Sequence, residues 1–413
     1  DMTLGNVIIP EILNATLAID IDVPMLQGWN WMSLNVYTED MSLDNMLSSL
    51  DDNATYIKNQ SGYADFYGVD FGWFGTLDAM NNTSMFKLNM LAEDNIVLAG
   101  MPVDVSTTLF DLPSGWNWIG YSPQITLDLN TALVNIPDGN AIYLKSQSGY
   151  ADYYGADFGW FGTLESMSPF LGYQLNLAEA TAFVYNDVTG MFSSMHYDVY
   201  KEPINNVYDF NIHDYEFNGS ITAALYNDGV MIDSDDYILA AFNGNQCVGY
   251  AGALELPHKL AIHAEGNTVY PLMVYSNDAN NNLRYEAYEI STGLYYDVKQ
   301  SIPFSLDMSH GDALEPVKME LTNKATTYKV SSPYPNPFNP VVNFDLTLNG
   351  NNYVDARIYD IQGREVTTLH DGMINSSNKK LSWVADNHAS GIYFLKVIVD
   401  GQQVQFEKIV LLK

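Results

Sequence analysis

Asp233, Asp235 and Asp236 form a D-x-D-D turn, and Asp278, Asn280 and Asn282 form a D-x-N-x-N run. Hard oxygen donors at such spacing are what calcium takes, so these six residues are the candidate metal ligands. An EF-hand would need Gly where Leu283 stands and helices on either side, and the run has neither. The competing reading is a solvated polar turn, where Asp and Asn are favoured for backbone reasons. A second set of residues is aromatic. Tyr63, Tyr67 and Trp73 sit in one Gly-rich stretch, and Tyr150, Tyr154 and Trp160 sit in its copy. With nearby Asp and Asn, such rings could stack on sugars. The competing reading is that Trp and Phe fill a module core while the glycines permit tight turns.

Covalent and nucleotide chemistry find no support. The chain has no G-x-S-x-G, no H-E-x-x-H, no paired-Cys zinc pattern, no G-x-G-x-x-G and no phosphate-binding Gly-rich loop ending in Lys. Cys247 lies mid-strand with no nearby His in sequence, so it is no obvious nucleophile. No carboxylate pair is singled out for glycoside hydrolysis. The expectation is a protein that is not an enzyme.

The elements that carry these residues are set by a duplication. SGYADFYGVDFGWFGTL at 61–77 returns as SGYADYYGADFGWFGTL at 148–164, with fifteen of seventeen positions identical and an offset of 87. The same offset relates GWNW at 28–31 to GWNW at 115–118. Two landmarks keep their spacing, which marks a tandem repeat. Modules are expected at 20–106 and 107–186. Each opens on the GWNW strand, whose alternation puts both Trp on one face. A short helix follows, Leu43 to Leu50 behind a Ser42 cap in the first copy and Leu129 to Ile136 in the second. Residues 1–19 stand outside the repeat as a strand segment, to be docked on its own module or on a neighbouring subunit. Residues 187–202 read as a linker. From 203 to 322 short strands recur between Asn, Asp and Gly turns, which predicts an antiparallel β-sandwich, with Leu260–His263 as one strand. Residues 323–332 form a second linker. Four prolines between Pro333 and Pro340 lead stiffly into a last β-domain at 333–413. The fold class is mainly β and multidomain: two β-rich modules with one short helix each, a β-sandwich, and a C-terminal Ig-like sandwich.

Charge separates these parts. The chain carries 17 Lys+Arg against 50 Asp+Glu, net −33. Residues 327–413 hold eight of each sign, so the first 326 carry the whole imbalance. Such acidity disfavours nucleic acid and anionic membranes. It suits calcium, solubility or a saline habitat. One cysteine excludes an intramolecular disulfide. No apolar run approaches the ~20 residues of a membrane helix. The first residue is Asp, not Met, which suggests removal of a leading segment.

The last ~85 residues carry four motifs in order: Tyr334 to Pro340 (YPNPFNP), Ile358 to Val366 (IYDIQGREV), Ser390 to Val397 (SGIYFLKV) and the terminal Lys408 to Lys413 (KIVLLK). They resemble the type A C-terminal sorting domain of the type IX secretion system of Bacteroidetes and allied phyla. That resemblance implies an Ig-like address domain, export across the outer membrane, and partnership with the type IX machinery. The GWNW modules look like repeats found upstream of such domains, and Asp235 to Tyr250 resembles a β-domain that recurs there. Neither implies an activity. The resulting expectation is an extracellular or cell-surface protein of structural or adhesive type, a homo-oligomer or polymer forming a filament, layer or matrix. The alternative is a carbohydrate-binding surface protein that uses the duplicated aromatic loops.

Overall fold

A computed structural model of the chain describes residues 18–186, 208, 210–244, 246–326, 328–348, 352–375, 378–399 and 402–413. Residues 1–17 of the expected N-terminal strand segment and the linker at 187–202 lie outside the described residues. The chain divides into two compact units, residues 1–206 with 211–218, and residues 207–210 with 219–413.

The first unit holds both repeats. Each has a five-stranded sheet in the same order. In the first, Gly28–Met32 forms the edge, followed by Phe86–Met90, Ala54–Lys58, Tyr63–Phe66 and Trp73–Gly75. In the second the order is Gly115–Ile119, Tyr173–Leu177, Ala141–Lys145, Tyr150–Tyr153 and Trp160–Gly162. Identical order follows from identical alternation, since a slip of one residue would turn every side chain to the wrong face. Ile19–Met25 pairs antiparallel with Asp94–Pro102 of its own module. Ile21, Val23 and Met25 point into the core while Asp20 and Asp22 point away. Burial of each of those three contributes about 1.5–3 kcal/mol.

The helices are shorter than the periodicity predicts. Leu43–Met46 is one α-turn, followed by a 3-10 segment over Ser48–Asn53 in which Asp51 takes φ +43°. Ser42 occupies the N-cap but makes no side-chain cap bond. Its counterpart Asp128 does, accepting from Thr131 N at 3.1 Å. Nucleating a helix is costly, and four residues with no full cap have little to propagate. The first core is mainly aliphatic, built on residues such as Leu34, Ile57 and Leu88 around Phe86. The second is more aromatic, with Phe110, Tyr121, Tyr173, Phe183 and Tyr185.

In the second unit, residues up to 326 form a ten-stranded sheet that is mixed, not antiparallel. Phe217–Asn227 runs parallel to Val317–Thr326 and to Ser309–His310. Parallel pairing needs long crossovers, which a reading of local turn signals cannot register. The strand expected at Leu260–His263 is instead a helical turn, His258–Ala261, entered from Pro257 with Leu260 buried. Proline favours the first turn of a helix and lacks the N–H a ladder requires. The C-terminal residues form sheets of three and four strands around one core. Val342, Phe344 and Leu346 face Val354, Ile358, Leu395 and Val397 in it. The chain as a whole is mainly β.

Candidate functional site

The two GWNW strands are edge strands, so each has one side free of ladder bonds. Exposed edges invite unwanted pairing. Here each edge is capped by a glutamine of the other repeat. Gln147 Oε1 accepts from Trp31 N at 3.0 Å while its Nε2 donates to Trp29 O at 2.7 Å. Gln60, 87 residues earlier, does the same for the second repeat, accepting from Trp118 N and donating to Trp116 O, both at 2.8 Å. A primary amide thus copies the peptide of a missing strand. Main-chain bonds obey the same offset: Gly172 N to Trp31 O and Met85 N to Trp118 O, both 3.2 Å; Ser33 N to Phe170 O, 2.8 Å; Gly120 N to Thr83 O, 2.9 Å. The repeats are therefore joined with pseudo-two-fold symmetry, each giving what it receives.

One face of each sheet builds a saddle at this joint. Register places Trp31 opposite Lys87 and Lys87 opposite Lys58. In the second repeat it places Trp118 opposite Gln174 and Gln174 opposite Lys145. Lys58, Lys87 and Lys145 are the only Lys or Arg residues in the first 200, and all three converge here. Lys87 Nζ lies 4.3 Å from the Trp31 ring centre, 4.7 Å from Trp118 and 5.1 Å from Phe217. Lys145 Nζ lies 5.0 Å from Trp116. Desolvated ammonium groups over aromatic faces are held by about 2 kcal/mol or more.

Residues 211–218 close the saddle. Glu216 pairs its carboxylate with Lys58, and its carbonyl accepts from Lys87 Nζ at 2.9 Å. Asn218 O accepts from Lys145 Nζ at 3.0 Å. His213 Nδ1 donates to Trp29 O at 2.6 Å, which fixes the Nδ1–H tautomer. Burial lowers the His213 pKa below its ordinary value, against the pull of the Trp29 carbonyl and Asp214. The Gln174 amide is left out. It is 1% exposed, and neither Nε2 nor Oε1 has a hydrogen-bond partner. It stands where symmetry would put a fourth lysine. The asymmetric closing segment supplies partners for only one such cation, and an unpaired buried charge would cost far more than an unpaired amide.

The sequence-derived candidates fall elsewhere. Trp73 and Trp160 are half-buried and pack against the two module cores. Tyr63 and Tyr67 are exposed, whereas Tyr150 is buried and Tyr154 half-buried. The twin loops share a backbone but not an environment. In each, Gly72 or Gly159 has positive φ and lets the next amide, Trp73 N or Trp160 N, reach a side-chain oxygen, Asp44 Oδ1 at 3.1 Å or Asn130 Oδ1 at 3.2 Å. Asp233 accepts from Asn267 N, Asn267 Nδ2 and Thr268 Oγ1 at 2.8–2.9 Å. Asp236 accepts from Ser291 N at 2.9 Å and from its hydroxyl, and Asp235 is exposed. Asp278 Oδ2 lies 3.4 Å from Asn281 Nδ2, Asn280 lies in a short strand pairing with Phe304–Ser305, and Asn282 is exposed. Among the described residues no three His, Cys, Asp or Glu side chains gather as a metal site.

Sequence reasoning missed the saddle. The available signal was that a chain with 50 acidic residues places three lysines in its first 200, two of them, Lys58 and Lys145, 87 apart.

A further polar cluster lies in the second unit. Glu286, 7% exposed, accepts from Lys329 Nζ at 2.8 Å, Arg284 at 3.0 Å and Tyr208 Oη at 2.9 Å. Burial alone would raise its pKa, but the Lys329 and Arg284 charges outweigh burial and hold it below the ordinary value. Lys329 also sits 3.9 Å from the Tyr208 ring centre and 4.4 Å from Tyr295.

At the C-terminus the four motifs meet. Phe338 is buried in the sandwich against Trp383, with ring centres 5.5 Å apart. Its N–H donates to Val410 O and its carbonyl accepts from Leu412 N, both at 2.9 Å. Asn336 adds a bond to Lys408 O and accepts one from Val410 N. The proline-rich stretch is thereby laced to the terminal strand. Residues 332–412 match the family model described as the secretion system C-terminal sorting domain. A sorting domain at this place supports a type IX secretion cargo. A cargo of this kind is exported to the cell surface or extracellular space. No curated protein matches it. Among solved structures it is similar to dimeric latent PorU from Porphyromonas gingivalis, at 12% identity over 82% of this chain and 35% of that one, with a TM-score of 0.21. The cargo thus spans about a third of the PorU chain's length. A biofilm-associated protein BSP domain is similar at 8% identity, 96% coverage of both chains and a TM-score of 0.19. Scores this low do not describe a shared overall fold. No helix among the described residues is long and apolar enough to cross a membrane.

Proposed function

We propose that this cargo is a non-enzymatic structural or adhesive protein of the cell surface, a subunit of an extracellular filament, layer or matrix. One observation carries the reading: a convergence of three lysines in the repeats is closed over and fastens two modules of the same chain to residues 211–218. Lys58, Lys87 and Lys145 are engaged by residues 211–218 beneath tryptophans. A catalytic centre presents such groups to a substrate. Here they tie two modules to residues 211–218, as a building block requires. The sorting domain sets the location. Electron microscopy of the purified full chain and of the native cell surface tests this, with filaments, sheets or a coat as the expected result. A preparation made only of monodisperse monomers, with no surface structure on cells, defeats it.

A second reading is carbohydrate binding through the duplicated aromatic loops. It is favoured by the exposure of Tyr63, Tyr67, Phe71 and Phe74 in the first loop.

A further inference from the structure

We propose that only the first of the twin loops is a binding surface, and that it takes a neutral polysaccharide; this deepens the carbohydrate-binding reading and rests on it. The loops are identical at fifteen of seventeen positions, yet their accessibility differs sharply. Tyr63 is 46% exposed and its twin Tyr150 is 1% exposed. Tyr67, Phe71 and Phe74 are 62%, 72% and 57% exposed, whereas Tyr154 and Phe161 are half-buried and Phe158 is 39% exposed. Chemistry written twice is thus far more accessible in the first loop. Large contiguous apolar surface on a soluble module marks an interaction site.

The loop is also fixed in shape. Tyr67 N donates to Gly72 O at 3.0 Å, Gly72 N donates to Gly68 O at 2.8 Å, and Asp44 holds Trp73 N. The Tyr67 and Phe74 rings meet edge to face with centres 5.7 Å apart, and Tyr63 stacks on Tyr56 at 6.0 Å. Rings that are ordered before contact lose little entropy on binding.

Charge selects the ligand. Asp65 and Asp70 lie in the loop, and the modules' three lysines are all engaged in the saddle. With no Lys or Arg in the loop and carboxylates on it, phosphate, sulfate and uronate groups are repelled. A second copy of the loop would bring the same carboxylates face to face on a chain of net charge −33. A neutral sugar meets neither penalty. Its C–H face covers an aromatic ring, and its hydroxyls donate to the carboxylates.

Affinity electrophoresis of the full chain tests this, with hydroxyethylcellulose, galactomannan and the polyuronate alginate as gel-borne probes. Retardation by a neutral polymer and not by alginate is expected. Tyr67→Ala with Phe74→Ala should weaken it at least tenfold, Tyr67→Phe with Phe74→Tyr should keep it, and Tyr154→Ala with Phe161→Ala should change it less than twofold. If the second-loop variant loses binding as fully, carbohydrate binding stands and the choice of loop falls. If alginate retards the chain as strongly, the ligand class falls. If no polymer retards it, both the inference and the carbohydrate reading fall.

Discussion

Replacing Lys87 and its pseudo-symmetric counterpart Gln174 by the same residue should move stability in opposite directions. Methionine approximates both side chains in length and carries neither charge nor amide. At Lys87 it removes a charge-assisted bond to Glu216 O, worth about 1.5–3 kcal/mol, and ammonium contacts with the Trp31 and Trp118 rings, worth up to about 2 kcal/mol each where water is excluded. Relief of ammonium desolvation returns part of this, leaving a loss of about 2–4 kcal/mol. At Gln174 methionine removes two buried atoms that have no partner, each costing about 1–3 kcal/mol when unsatisfied. A gain of about 1–2 kcal/mol is expected there. A folding unit of ~150–250 residues shifts its Tm by roughly 2–4 °C per kcal/mol. Lys87→Met should therefore lower the transition by about 4–16 °C, and Gln174→Met should raise it by about 2–8 °C. Near-ultraviolet circular dichroism and tryptophan fluorescence report on this unit, because six of the seven tryptophans lie in the repeats. Equal losses at both positions, or no loss at Lys87, would refute the view that the closing segment satisfies one half of the saddle only.

Gln60→Ala and Gln147→Ala each remove two inter-repeat bonds, and each should cost about 1–2 kcal/mol by chemical denaturation, the two values agreeing within about 0.5 kcal/mol if the joint is symmetric. His213 has a folded pKa below its unfolded ~6.5, so the unfolded chain binds the proton first. Its contribution is intact above pH 6.5 and falls as pH drops below that value; thermal melts between pH 7.5 and 5 should show the decline, and His213→Gln should remove it. Glu286→Gln leaves Lys329 and Arg284 without their countercharge and should lower stability of the second unit by about 3–5 kcal/mol, read as an earlier urea transition. Because Glu286 titrates below its ordinary range, the wild-type contribution holds above the unfolded value and is lost only as pH falls through the lowered one.

The repeat, its strands and the sorting motifs were legible in the sequence because each depends on local alternation or on a run of matched residues. Asp20 and Asp22 set against Ile21 and Val23 show how directly a half-buried strand declares itself. The saddle was not legible. Lys58, Lys87 and Lys145 look like solvated charges until the register sets them beside Trp31, Trp116 and Trp118, and Glu216 lies 158 residues from Lys58. The parallel pairing of Phe217–Asn227 was hidden for a related reason, since crossover contacts leave no short-range pattern. Among the aromatic candidates, identical sequence concealed unequal surroundings, and Tyr63 and Tyr150 differ in nothing but what covers them.

Reciprocal capping by Gln60 and Gln147 carries an arithmetic of its own. Each repeat offers one open border and one amide, and a couple exhausts both, so no third repeat could join by the same grip. Growth in this lineage of modules should then go by twos, each couple a sealed brick. Any lattice or fibre these proteins build has to be mortared through other faces.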